Sequence, residues 1–202
     1  MIDFIKRFVV WLRRVRYSRG FGVQSPWAYR FIRYVVNEHY PYYKYEQLAE
    51  QVYGIDKTTR KLCKFYFRLA NYQQAHTFVD CYPTSSCYKI YVDAGCQKAN
   101  YHRITEATSE EELTRLFSNI GEYSMVRVPL VANYRTVVDK ALDYFPSSSV
   151  LIIENIKRDK ETQKYWSELI SDSRTGVSFD LYYCGVLFLN NDMVKQSYIV
   201  NF

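Results

Sequence analysis

The chain has 202 residues, 48% hydrophobic and 18% aromatic with 21 Tyr, and a formal net charge of +6. That is enough apolar material for one folded core with an N-terminal extension, and 7 Gly and 5 Pro are too few for a fibrous or disordered chain. No apolar run reaches the roughly 18 residues a membrane span needs, and Cys63, Cys81, Cys87, Cys96 and Cys184 form no Cys-x-x-Cys pair, so reduced thiols in a cytoplasm are expected.

The charge is unevenly placed. Residues 1–33 hold eight basic residues against Asp3 alone, +7, which leaves −1 for the rest. Attraction to anionic partners should therefore act at the N-terminus. Phe4, Phe8, Trp11, Leu12 and Val15 recur at helical spacing between basic residues, which predicts an amphipathic helix over residues 2–16. Its apolar run Phe8–Leu12 is bracketed by Lys6, Arg7, Arg13 and Arg14 and is too short for a secretory signal core. The helix has three readings. It packs its apolar face on the domain with the arginines wet, it lies on an anionic membrane surface, or it docks nucleic acid through phosphate contacts. Trp11 and Phe8 favour a protein or membrane partner, while Arg16-Tyr17, Tyr29-Arg30 and Arg33-Tyr34 offer rings that stack on bases. The expected location is cytoplasmic, extending to a peripheral position at the inner face of the membrane.

Ser18-Arg19-Gly20-Phe21-Gly22 breaks that helix, and Ser25-Pro26 starts a second one, to about residue 38, with Ser as N-cap and Pro at the first position. Helical patterns follow at 46–53 and 57–72. From residue 76 strands alternate with helices. Strands are expected at 77–82, 101–106, 124–130 and 149–153, and helices at 85–94, 110–117, 134–144 and 159–171. Alternation implies a parallel sheet. The end of the chain reads as strands 177–183, 185–190 and 196–201, with turns near Gly185 and Asn190-Asn191, paired antiparallel. The organisation is a basic helical region, 1–73, before an α/β domain, 74–202.

Three segments carry a resemblance. Phe21-Gly22-Val23-Gln24-Ser25-Pro26-Trp27 matches His-Gly-Val-His-Ser-Pro-Phe, and Ser149-Val150-Leu151-Ile152-Ile153-Glu154-Asn155-Ile156 matches Ser-Val-Leu-Ile-Ile-Asp-Asp-Ile. Ser178-Phe179-Asp180-Leu181-Tyr182 with Gly185-Val186-Leu187-Phe188-Leu189 matches Ser-Ile-Asp-Leu-Phe and Gly-Leu-Val-Phe-Phe. In that order they resemble a bacterial group of class I S-adenosylmethionine-dependent methyltransferases. The resemblance implies a Rossmann-like fold with a mostly parallel sheet, antiparallel C-terminal strands and N-terminal helices, and S-adenosylmethionine as cofactor.

The departures are concentrated in the cofactor site. The family's Glu-x-Gly-x-x-x-Gly loop maps onto Asp80, Tyr82 and Ser86, so the acid is kept and both glycines are lost. Glycine there lets the backbone adopt positive φ and approach the cofactor. Glu106 stands where the family's ribose-binding acid lies. The fourth strand's Asp-Gly-Asn-His becomes Val128-Pro129-Leu130-Val131-Ala132-Asn133, and the fifth strand's acid pair becomes Glu154-Asn155. One carboxylate and one amide hold a hard cation poorly, so no metal is expected. Cys81, Cys87, Cys96 and His102 have no zinc spacing, and buried thiols are the simpler reading. The expectation is a methyltransferase-fold protein with a degenerate cofactor loop, binding a partner through residues 1–33. The alternatives are an active methyltransferase with a pocket around Asp80, Tyr82, Ser86 and Glu106 and Glu154 as catalytic base, and a peripheral binding module driven by the basic N-terminus. No methyl acceptor is named by the sequence.

Overall fold

A computed structural model of the chain describes residues 2–20, 22–131, 133–190 and 192–202, with the backbone alone at 2–7, 18 and 19. Phe21 of the first motif, Ala132 of the fourth-strand segment and Asn191 of the last turn lie outside the described residues.

The N-terminal region is helical. Helix α1 spans Ile2–Arg14 and continues as a 3-10 segment, Val15–Gly20. Helix α2, Pro26–Phe31, begins as its sequence predicts: the Ser25 side chain accepts from the Ala28 N–H and Pro26 opens the helix. It then widens into a π turn, Ile32–Val36, closed by the Asn37 N–H on the Ile32 carbonyl at 2.8 Å. Helices α3, Lys44–Gln51, and α4, Lys57–Gln73, follow, the latter capped by Asp56.

From residue 77 the chain alternates β1 (Thr77–Cys81), α5 (Cys87–Gly95), β2 (Asn100–Ile104), α6 (Glu110–Ser118), β3 (Ser124–Pro129), α7 (Tyr134–Tyr144), β4 (Val150–Glu154) and α8 (Lys160–Ser171). It ends in β5 (Ser178–Asp180), β6 (Cys184–Phe188) and β7 (Ser197–Ile199). The seven strands are ordered β2-β1-β3-β4-β6-β5-β7. Strands β1 to β4 are mutually parallel, and β6 runs antiparallel between β4 and β5. This is the α/β, Rossmann-like methyltransferase architecture that the sequence implied.

One expectation is corrected. β7 does not join its predecessor as an antiparallel strand; it pairs parallel to β5 at the sheet edge. Both edges of β6 are already taken by β4 and β5, so the returning chain can only add to the free edge of β5. Running opposite to β6 makes it parallel there.

Period-2 alternation in the strands builds two cores. Phe78, Met125, Val150, Ile152 and Val186 face α4, α5 and the π turn, packing with Phe31, Phe65 and Tyr91. Val79, Val126, Val128, Leu151 and Ile153 face α6, α7 and α8, packing with Phe117, Val138 and Trp166. Close approach is set by glycine at two places. A Cβ on Gly95 would lie 2.3 Å from the Phe67 carbonyl oxygen on α4, and one on Gly185 would lie 2.3 Å from the Trp166 ring.

Helix α1 departs from the reading in which its apolar side packs on the domain and its arginines stay in water. Phe8, Trp11, Leu12 and Val15 are exposed, and it is an arginine that enters the domain. Arg14 donates to the carbonyls of Asp180 and Val200 and pairs with the Asp180 carboxylate at 2.6 Å. The ends of β5 and β7 supply three oxygens, two from Asp180 and one from Val200, to this long donor-rich side chain.

Candidate functional site

The carboxyl ends of β1, β3 and β4 carry Asp80, Arg127 and Glu154 on the same face of the sheet, under α4 and α5. All three are buried. Asp80 and Arg127 are register partners on adjacent strands, and β4 is the next strand over. Arg127 bridges the two acids: Nη1 to Asp80 Oδ1 at 2.7 Å and Nη2 to Glu154 Oε2 at 2.7 Å, with a further donation to the Cys81 carbonyl at 3.1 Å. The second Glu154 oxygen accepts from the Tyr66 hydroxyl on α4. The guanidinium lies over the Tyr88 ring, 4.3 Å from its centroid, and Tyr66 and Tyr88 are 5.0 Å apart.

The electrostatics follow from burial and pairing. Burial raises the Asp80 carboxyl toward its neutral form and the Arg127 charge opposes this. Burial works against the Arg127 charge too, but Glu154 and Asp80 outweigh it and hold the guanidinium protonated. The Tyr66 phenol is pushed well up, by burial first and then by the Glu154 charge. Among the described residues Arg127 Nε is buried without a hydrogen-bond partner, and Asp80 Oδ2 has only the nearby Tyr101 phenol, too poorly aligned for a regular hydrogen bond.

Two thiols border this cluster. Cys63 on α4 and Cys87 at the first turn of α5 are electrostatic neighbours, and the Ser85 hydroxyl donates to Cys87 Sγ at 2.9 Å. Cys87 is lowered to about 6, by the Cys63 thiol first, against burial, with Ser85 and the Arg127 charge helping. Cys63 is raised, its proton held by Cys87. All five cysteines are free and buried.

The five residues singled out in the sequence fall into two groups. Asp80 and Glu154 come together in the interior through Arg127. Tyr82, Ser86 and Glu106 lie in the turns beyond the strand ends: Tyr82 half-buried, Ser86 and Glu106 exposed. Tyr82 and Glu106 are neighbours, since the phenol is raised by burial, by Cys81 and by the Glu106 charge. At the position where the family has glycine, Tyr82 has φ +50° and donates its N–H to the Ile104 carbonyl at 2.8 Å. The backbone therefore keeps the left-handed conformation, and the side chain departs. S-adenosylmethionine carries a sulfonium, an ammonium and a carboxylate, and a protein acid that receives its cationic end has to be free of another cation. Asp80 and Glu154 face a guanidinium instead, so the residues fit that group poorly.

Arg127 is the residue the sequence reading passed over. Its signal was available: a cation inside Ser124–Leu130, an apolar strand covered on both faces, must find buried anions. The strands on either side end in the only acids at hand. Among the described residues no group of three or more His, Cys, Asp or Glu is arranged to hold a metal, and no helix is long and apolar enough to cross a membrane.

No family model and no curated protein matches the chain. Among solved structures it is similar to the MycE methyltransferase of the mycinamycin biosynthetic pathway, solved in complex with Mg and SAH. The TM-score is 0.53 at 11% identity, over 74% of this chain and 50% of that one. This chain thus spans about half the length of that protein. The aspartate aminotransferase of Rhizobium meliloti overlaps more loosely, with TM-score 0.30 and 10% identity over 63% and 39% of the two chains. At these identities the likeness is one of fold, and the fold is that of a methyltransferase-like α/β protein.

Proposed function

We propose that this chain is a methyltransferase-fold protein that acts by binding a partner and does not transfer a methyl group. The observation that carries the reading is Arg127, which places a permanent positive charge against both Asp80, the acid of the cofactor loop, and Glu154, the acid that would serve as base. Displacing it would strip two buried carboxylates of their counter-charge, a cost of several kcal/mol. Tyr82 adds a ring where the loop should approach the cofactor. The test is calorimetric titration of the whole protein with S-adenosylmethionine and S-adenosylhomocysteine, followed by melting with each. The expected result is no heat and an unshifted melting temperature. Micromolar binding, about −8 kcal/mol, would overturn it.

One observation favours a second reading, an active methyltransferase with an atypical pocket. The left-handed backbone at Tyr82 preserves the loop geometry that the lost glycine would have allowed. In that case the cofactor lies among Asp80, Tyr82, Ser86 and Glu106, with Glu154 as base. The same titration separates the two readings.

A further inference from the structure

A second site lies away from the strand ends, in a cleft of about 490 Å³ between α1, the end of the π turn, α4 and the chain's last residues. Lys61, Lys64 and Arg68 line it from one side of α4, at the i, i+3, i+7 spacing that keeps side chains on a common face. Trp11, Val36 and Phe202 supply apolar wall, and Glu38 is the one acid among its described lining residues.

Arg68 gives the cleft its meaning. It is only 8% exposed. It donates to the Val35 carbonyl at 2.6 Å, the Val36 carbonyl at 3.0 Å and the Tyr45 hydroxyl at 3.2 Å. These bonds satisfy carbonyls left open where the π turn ends, and every acceptor is neutral. No described carboxylate forms an ion pair with Arg68, whereas the other buried guanidinium, Arg127, has two. Three of its five N–H donors are used. A buried charge without a counter-ion is costly, and this one opens on a cleft in which Lys64, held over the Tyr45 ring at 4.8 Å, adds a second cation.

The rim of the cleft continues into the exposed side of α1. Phe8, Trp11 and Leu12 are 54%, 50% and 55% exposed, and Phe8 and Trp11 stack at 6.3 Å. Val15 extends the stripe, and Arg13 and Arg16 flank it in solvent. Trp11 belongs to both features, one ring shared by an open apolar stripe and a cationic cleft. Free in water, such a stripe is unfavourable. Beside Arg68 and Lys64 it matches an amphiphile with an anionic head and apolar tails.

We propose that this face binds anionic phospholipid at a bilayer surface, the phosphate entering the cleft at Arg68 and Lys64 and the acyl region receiving Phe8, Trp11 and Leu12. The inference stands whether or not the cofactor binds. The test is co-sedimentation of the whole protein with vesicles of phosphatidylglycerol in phosphatidylcholine, and of phosphatidylcholine alone. Retention is expected on the first only. The double substitution W11S/L12S should weaken it by on the order of a hundredfold, and K64E by on the order of tenfold or more. K98E, an equal change of net charge on an exposed lysine before β2 at the opposite edge of the sheet, should change it less than about twofold. Equal loss in K98E and K64E would reduce the effect to overall charge and overturn the cleft as a site. Equal retention on both vesicles, which both carry phosphate and differ in net charge, would show that the anionic headgroup is not recognised and overturn the proposal. Inorganic phosphate perturbing the Arg68 and Lys64 resonances without any vesicle binding would make a free anion the occupant. A dimer in light scattering that W11S/L12S dissolves, again without vesicle binding, would give the stripe to a second copy of the chain. Melting curves check that each variant is folded.

Discussion

The two faces of the sheet solve the same packing problem with different chemistry. Towards α6, α7 and α8 the central strands present Val79, Val126, Val128, Leu151 and Ile153, all apolar, and two of the three helices begin with full capping boxes, at Ser109 and Asp159. Towards α4 and α5 the same strands present Phe78, Met125 and Ile152 and then, at their carboxyl ends, Asp80, Arg127 and Glu154. The first face is held by area removed from water and tolerates any apolar set of similar volume. The second is held at its end by charges that are costly to bury and more costly to unpair. The ion cluster therefore occupies the carboxyl ends of the central strands, the place where α/β sheets bind ligands.

Removing Arg127 should break that contrast most sharply. Arg127→Met leaves Asp80 and Glu154 buried without their cation and should cost about 3–5 kcal/mol in urea unfolding. The triple variant R127M/D80N/E154Q removes the stranded charges and should recover most of the loss. On the apolar face, Val128→Leu, one residue away, should cost only about 1–3 kcal/mol through overpacking, with no charge partner to rescue it. A single Arg127→Met cost below about 1 kcal/mol would mean that the acids are already neutral and that the two faces differ less than their residues suggest.

The thiols give the charged face a pH dependence that the apolar one lacks. Cys87 titrates at about 6 in the folded chain against 9.0 for an ordinary thiol. A lowered acid pKa stabilises the fold above the unfolded value and loses that stabilisation as pH falls through the folded one. Stability should thus rise from pH 6 towards 9, by up to about 1 kcal/mol per pH unit. Cys63, raised above its ordinary value, acts in the opposite sense and only above 9, where its unfolded thiol ionises. Unfolding curves across this range should show the rise in the native chain and a flat profile in Cys87→Ser. Thiolate absorbance near neutral pH, absent from that variant, provides a second reading of the same group.

The apolar face was readable because every residue on it obeys one rule. The continuous apolar run of Ser149–Ile153 marks a strand covered on both faces from local chemistry alone. Asp80 and Glu154 were also found, since acids at the ends of parallel strands draw attention in this architecture. Arg127, Tyr66 and Cys63 were not, because their roles exist only once strands 47 residues apart (Asp80 to Arg127) meet, and a helix and a strand 88 residues apart (Tyr66 to Glu154). The edge position of β7 escaped for a related reason. It depends on both sides of β6 being occupied, a property of the sheet and not of residues 196–201. The exposed stripe of α1 shows the limit of periodicity: spacing identifies an apolar side, and Arg14 decides which way it faces.

Helix starts supply the smallest and most local version of the comparison. Ser109 accepts from the Glu112 N–H at 3.2 Å while Glu112 accepts from the Ser109 N–H at 3.0 Å. Ser109→Ala should then cost about 1 kcal/mol. Ser86, at the corresponding place before α5, makes no side-chain cap and is exposed. Its neighbour Ser85 turns to Cys87, donating to the thiol and accepting from the Cys87 N–H at 3.4 Å. Ser86→Ala should therefore lie within about 0.5 kcal/mol of the native chain, with Ser85→Ala also raising the Cys87 titration towards its ordinary range. If Ser86→Ala costs as much as Ser109→Ala, the hydroxyl has a partner in solution, and the start of α5 is a binding element of the loop that lost its glycines.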